Sequence, residues 1–315
     1  MLATAPSPRE DSTMSFADQV AAQIPSSTRM ISGCHDVQTS ADANITAFEL
    51  PESRWTTWRG LHGRLAAGAL GRSSEEDEEN LAEGGYTQVP QLSSSRIIDV
   101  NEPMTIVENP SGTKRAVLIG INYVGQQGEL SGCHNDAKNI AKYLQNELGF
   151  ESSNMKVLMD DGAHEKPTYA NIMAAFDWIV RVSQPGDTVW IHYSGHGGRL
   201  PDQDGDEEDG YDETLIPVDF QRAGQIRDDD LLKHLVKPMR EGVTMTCLMD
   251  CCHSGTVLDL PYRFIADGDH VEMERNEGFN MEDWMGVAAD VLRAGAAAYV
   301  AGEAAEAMAD CCVIL

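Results

Sequence analysis

From Arg115 to Met249 the chain alternates short, unbroken apolar runs with longer stretches whose apolar residues recur every three or four positions. The runs are Ala116 to Tyr123 (AVLIGINY), Lys156 to Met159, Asp187 to Tyr193 and Val243 to Met249, with a shorter Thr214 to Val218. Runs of this length predict strands buried on both faces. The periodic stretch Asn135 to Leu148 predicts a helix with Ala137, Ile140, Ala141, Leu144 and Leu148 on one face, stopped by Gly149. Thr168 to Val182 predicts a second, with Ile172, Ala175, Phe176, Ile179 and Val180 toward the sheet. Asp228 to Met239 predicts a third, with three aspartates in or before its first turn, where the macrodipole favours them. Strands alternating with helices predict an α/β fold, a mostly parallel sheet covered on both faces.

The pattern is weaker outside that span. Residues 1–26 are rich in Pro, Ser and Ala and read as a mobile tail. Ser27 to Ser32 predicts a strand, and Trp55 to Leu70 a helix with Trp58, Leu61, Leu65 and Ala69 on one face. Residues 71–85 form an acidic loop, Tyr86 to Arg96 an extended segment, and 97–113 a linker with Pro103, Pro110 and Gly112. The Ala-rich stretch from Met281 to Asp310 predicts a helix. The organisation expected is therefore a tail (1–26), a small unit (27–96), a linker (97–113), a larger α/β unit (114–262) and a C-terminal segment (263–315).

Charge narrows the partners. With 23 basic and 51 acidic residues, the formal net charge of −28 argues against nucleic acid and for cationic partners. The seven cysteines are an odd number without even spacing, and the first thirty residues hold no apolar signal core. Reduced thiols in a cytoplasmic setting are the expectation. Gly286 to Gly302 is apolar but interrupted by Asp290 and Arg293, so no membrane span is expected.

Two predicted strands break into reactive turns. Val243 to Met249 runs into Asp250-Cys251-Cys252-His253-Ser254-Gly255, and Asp187 to Tyr193 into Ser194-Gly195-His196-Gly197-Gly198. Ligands of open α/β sheets bind beyond the carboxyl ends of parallel strands, so these turns deliver a thiol and an imidazole to one place. A thiol with its ordinary pKa of about 8.5 is only slightly ionised at neutral pH, and a nearby imidazole supplies the missing base. The glycines let backbone amides approach a substrate as oxyanion donors. Against this, free cysteines are usually small buried hydrophobes, and mid-strand Cys247 is read that way. A zinc site on Cys251, Cys252 and His253 lacks the usual ligand spacing.

Four motifs in order resemble those of the metacaspases, caspase-fold cysteine proteases: Ser131-Gly132-Cys133-His134-Asn135-Asp136-Ala137, Tyr193-Ser194-Gly195-His196-Gly197, Asp209-Gly210-Tyr211-Asp212-Glu213-Thr214-Leu215 and Asp250-Cys251-Cys252-His253-Ser254-Gly255. The resemblance implies a caspase-like (caspase-hemoglobinase) fold with Cys252, not Cys251, as nucleophile and His196 as its partner. Gly197 and Cys252 are then the oxyanion donors. Ile31 to Asp42 and Gln88 to Ser95 look like the two ends of the family's small p10-type unit, here ahead of the p20-type unit at 114–262. That order is similar to the type III subgroup, and exposed ends tolerate such rearrangement.

The resemblance also implies an acidic pocket. Residues matching Cys133, Asp136, Ser194 and Asp250 line a pocket for Arg or Lys before the cut bond. A carboxylate about 4 Å from a cation is worth roughly 4 kcal/mol at intermediate dielectric, enough to select basic residues and reject Asp. Asp202, Asp204, Asp206 and Glu213 superficially echo an EF-hand, but Glu207 stands where the loop needs Gly. The family set is different: Asp212, Asp228, Asp229 and Asp259 match calcium ligands, so Ca2+ is the expected cofactor. Partners expected are peptide or protein substrates with Arg or Lys at the cut, and the chain is expected to act as a monomer. Arg72, Arg96 and Arg263 lie in predicted loops as candidate self-cleavage sites. Cys312-Val313-Ile314-Leu315 fits a geranylgeranylation pattern that would anchor the chain to membrane, against an acidic upstream sequence. The rival reading is a catalytically silent regulator that binds calcium or basic peptide.

Overall fold

The computed structural model describes residues 14–32, 91–103, 105–201, 211–251, 257–265, 270, 272–276 and 279. Eight strands make one sheet: β1 (Ser27–Ser32), β2 (Gln91–Ser94), β3 (Lys114–Gly120), β4 (Met155–Met159), β5 (Thr188–Ser194), β9 (Thr244–Asp250), β10 (Tyr262–Ile265) and β11 (Glu274–Arg275). Their order is β11-β10-β2-β1-β9-β5-β3-β4. β1, β9, β5, β3 and β4 run parallel, while β2, β10 and β11 close one side in antiparallel pairing. A second, three-stranded sheet holds β6 (Gly197–Pro201), β7 (Tyr211–Leu215) and β8 (Ile226–Arg227).

Helix α2 (Cys133–Asn146) packs Ile140 and Leu144 on Ala116, Leu118 and Trp190. Helix α3 (Tyr169–Val182) packs Ile172, Ala175, Phe176 and Ile179 with Val117, Ile119, Val189 and Ile191. Because side chains alternate along β3 and β5, the two helices cover opposite faces, which makes the parallel strands apolar throughout. Gly120 is what brings α2 close. A Cβ there would lie 2.5 Å from the Cys133 carbonyl oxygen and 3.0 Å from Ala137 Cβ.

Several expectations are corrected. The supposed tail contains helix α1 (Phe16–Gln23), capped by Ser15, with Val20 and Ile24 buried in the core. The i, i+4, i+8 stripe of Phe16, Val20 and Ile24 is sparse among Ala and Ser, which hides it. Phe16 stacks edge-on against Tyr262 and Phe279, and Arg275 lies over its ring. The helix expected over Asp228 to Met239 is a short α5 (Asp228–Leu231) that widens into a π-turn, Leu232–Val236, burying Leu232, Leu235 and Val236 together. A four-residue α4 (Phe220–Ala223) precedes it. The boundary placed at 262/263 falls inside β10, so Arg263 is a strand residue, its guanidinium on Glu274, rather than a loop residue. The strand expected at Thr214 to Val218 is β7, three residues earlier. The helices expected at 55–70 and 281–310, the acidic loop 71–85, Arg72 and the C-terminal Cys312 lie outside the described residues. Among the described residues, no helix is long and apolar enough to cross a membrane.

Candidate active site

The carboxyl ends of β3, β5 and β9 lie side by side, with Gly120 opposite Ser194 and Ser194 opposite Asp250. The last residues of these three strands therefore lie together at one edge of the sheet. After β5 come Gly195 and His196, and β6 begins at Gly197. After β9 comes Cys251, buried in the core with Met249. Cys252 itself lies outside the described residues. Cys247 is buried in mid-strand, and burial pushes its thiol far above the ordinary range. It is a core residue.

The half-buried His196 is held by a fixed set of partners. Its Nε2 lies 2.6 Å from the Gly128 carbonyl oxygen. A carbonyl only accepts, so Nε2 carries a proton and Nδ1 is left as the basic nitrogen of the neutral ring. Gly128 suits this contact twice over: its φ is +83°, and a Cβ would come within 3.2 Å of Nε2.

On the α2 face of the same edge, the Ser194 hydroxyl donates to Asp136 Oδ2 at 3.0 Å. Asp136 and Ser194 are both buried, Cys133 sits one turn earlier at the start of α2, and Asp250 is half-buried beside Ser194. The four residues expected to line an acidic pocket thus come from three adjacent elements.

The carboxylates expected to ligate a cation separate into three and one. Ligand oxygens of Asp212, Asp228 and Asp229 all lie within 4.8 Å of one another, and Asp259 is not in that group. Asp259 has a φ of +42° in the turn leading to β10. Asp228 Oδ2 accepts the Glu213 amide at 2.7 Å and Oδ1 accepts the Asp229 amide at 2.9 Å. Arg227 pairs with Asp212 Oδ2, while Asp212 Oδ1 is buried and, among the described residues, has no hydrogen-bond partner. Lys237 also senses the cluster: burial lowers its pKa to about 8 against the opposing pull of Asp229.

An eight-stranded, largely parallel sheet with helices on both faces and reactive turns at its carboxyl edge is caspase-like α/β architecture. The metacaspase peptidase C14 domain matches residues 114–261. Metacaspase III c of Phaeodactylum tricornutum is 48% identical over 275 residues, covering 82% of this chain and 81% of that one. Metacaspase-1A of Aspergillus fumigatus is 51% identical over 160 residues, which are 50% of this chain but only 39% of the fungal one. A solved structure of a protein from Geobacter sulfurreducens is similar over 46% of this chain and 53% of its own, at 34% identity and a TM-score of 0.37. The chain belongs to the metacaspases and is a cysteine-type endopeptidase.

Proposed function

We propose that the chain cleaves peptides after Arg or Lys with a Cys252–His196 dyad, that calcium supports this activity, and that its small unit precedes the catalytic one as in type III. The observation that carries the dyad is the bond from His196 Nε2 to the Gly128 carbonyl at 2.6 Å, which leaves Nδ1 as the base. Nδ1 takes the thiol proton as sulfur attacks the scissile carbonyl carbon, and a tetrahedral oxyanion forms. The amides of Gly197 and Cys252 are its proposed donors. The intermediate collapses to a thioester as the imidazolium returns the proton to the leaving amine. Water, deprotonated by the same nitrogen, then releases the acid and restores the thiol.

Preference for Arg or Lys is supported by Asp136, oriented by Ser194, and by Asp250, whose carboxylates stand at the same sheet edge. A cationic side chain there gains charge-assisted hydrogen bonds, whereas an Asp side chain meets like charge.

For the cation, the residues fit a hard ion. Three carboxylates converge, and a buried Asp212 oxygen has no donor among the described residues. Asp212, Asp228 and Asp229 would hold calcium, with Asp259 brought in by movement of its turn. A calcium ion held by these residues would neutralise the clustered charge and order the loops that carry them, completing the substrate groove. The route to the dyad is short: Asp212 pairs with Leu200 across the β6–β7 ladder, and Leu215 pairs with Gly197, next to His196.

The test uses fluorogenic peptides differing only in Arg, Lys or Asp before the cut. Arg and Lys peptides should be cleaved and Asp peptides left intact. Cys252→Ala and His196→Ala should abolish turnover, and a calcium chelator should lower it reversibly. Equal turnover with and without chelator sinks the calcium reading, and an active Cys252→Ala sinks the dyad.

A further inference from the structure

Residues 121–130, between β3 and α2, touch His196 at more than its ring nitrogen. Tyr123 is fully buried yet has a left-handed φ of +53°, a conformation L residues rarely adopt and one concentrated at functional sites. Its neighbours show what holds it. The Asn122 amide donates to Asp160 Oδ1 at 2.9 Å and the Val124 amide to Oδ2 at 3.0 Å, so one carboxylate brackets Tyr123 on both sides. His134 Nε2 lies 2.6 Å from the same Asp160 Oδ1, tying the bracket to the start of α2. The Leu130 amide donates to the Asn122 carbonyl at 2.8 Å and closes the loop.

Held this way, the Tyr123 side chain turns back onto His196. The ring centroids are 4.7 Å apart with planes 34° from parallel. The Tyr123 hydroxyl accepts the His196 amide at 2.9 Å and donates to the Ile216 carbonyl at 2.7 Å. Tyr193 does the converse, donating its hydroxyl to the His196 carbonyl at 2.8 Å and accepting the Ile216 amide at 3.1 Å. The two hydroxyl oxygens are 3.3 Å apart, and each has one donor and one acceptor role filled. Both polar groups of the His196 peptide are thus anchored to phenols. A side chain at Gly195 would intrude, since a Cβ there would lie 3.0 and 3.1 Å from the two hydroxyl oxygens.

We propose that Tyr123 is a positioning residue for the His196 imidazole, fixing its backbone through the hydroxyl and its ring plane by stacking, while Gly128 of the same loop fixes Nε2. The inference rests on the Cys252–His196 reading. His196 lies between two glycines, Gly195 and Gly197, whose backbones are intrinsically permissive, so its own backbone benefits from an external anchor. Without one, Nδ1 wanders from the line of proton transfer, and small misplacements at a reacting pair are costly. Substrate binding, set by Asp136, Ser194 and Asp250, is left alone.

Tyr123→Phe keeps the ring and removes the hydroxyl. Its kcat on an Arg peptide should fall about ten-fold while KM stays within about two-fold. The rate at which iodoacetamide alkylates Cys252, followed by mass spectrometry against pH, should shift its rise to higher pH, as expected for a thiol with a poorly oriented base. Asp160→Asn, whose amide nitrogen cannot accept and so loses one of the two flanking bonds, should move kcat and the alkylation curve in the same direction by a smaller factor. Wild-type kcat and an unshifted alkylation curve in Tyr123→Phe overturn the proposal. Should that variant fail to fold, the same wild-type result in Asp160→Asn does so. His196→Ala separates the two levels: full activity there overturns the dyad itself, whereas an inactive His196→Ala beside an unaffected Tyr123→Phe overturns only the positioning role.

Discussion

At the residue scale, the groups legible in the sequence are those whose chemistry and local context coincide. His196, and in the sequence the proposed nucleophile Cys252, each follow an apolar run among small residues, and the strand ends before them, those of β5 and β9, do lie side by side. Tyr123 and Asp160 are not legible. AVLIGINY reads as one strand to its last residue, yet the strand ends at Gly120, and the reversal at Tyr123 is imposed by a carboxylate 37 positions further on. His192 is a third case, a polar residue in mid-strand with no sequence signal for its state. It is fully buried, and that burial, partly offset by the Leu248 backbone, lowers its pKa to about 4 from the ordinary 6.5. The unfolded chain thus binds more protons than the folded one between those values. Stability from the neutral ring is fully present above 6.5 and is lost progressively as pH falls toward 4. Between pH 7 and pH 5 the wild type should lose about 2 kcal/mol more than His192→Leu in urea unfolding, since each pKa unit is worth about 1.4 kcal/mol. Parallel losses in the two proteins would show that His192 is not the titrating group.

At the element scale, helices with a strong 3.6-residue period and fully apolar strands are legible nearly in place, because burial on one face or two dictates their pattern. What the period does not encode is how closely two elements approach. Gly120 ends β3, and its missing side chain admits the Cys133 carbonyl at the start of α2. The obstructing atom belongs to the backbone, so Gly120→Ala cannot be relieved by a rotamer change, and α2 must shift as a body. Overpacking of this kind costs about 1–3 kcal/mol, readable as a lower unfolding midpoint. Since α2 carries Asp136, displacement should also raise KM for an Arg peptide more than it lowers kcat. Unchanged stability and KM would mean that the α2–β3 contact is softer than its geometry indicates. The π-turn after α5 escapes the sequence for a related reason. It is chosen by a packing demand, the simultaneous burial of Leu232, Leu235 and Val236, that an α-helical reading spreads around the axis.

At the scale of the whole molecule, the division into a small unit and a catalytic unit does not survive as a division of the core. β1 lies between β9 and β2, pairing in parallel with β9 from Ser27 to Ser32, and β2 in turn carries β10. The strand that ends at the thiol turn is thus supported on one side by β5 and on the other by residues from the amino-terminal unit. Sequence periodicity marks strands but not their neighbours, so this insertion is not visible in the order of motifs. It has a consequence for dissection. A fragment of residues 97–315 exposes the β9 edge and loses the burial supplied by Met30, Ile31 and Leu92, leaving an unpaired apolar edge prone to association. Expressed alone it should be insoluble or exchange its β9 amides rapidly, and co-expression with residues 1–96 should restore protection and peptidase activity. A cut after Arg96 is different in kind. Arg96 is exposed just beyond β2, its guanidinium donating to the Pro25 carbonyl at 3.3 Å, and the bond on its carboxyl side lies outside the strands, so a cut there leaves the β1–β9 and β2–β10 pairings intact. Chains nicked there should keep the sheet and the activity. A 97–315 fragment that is soluble, with β9 amides protected as in the full chain, would show that β1 is an appendage rather than part of the catalytic sheet.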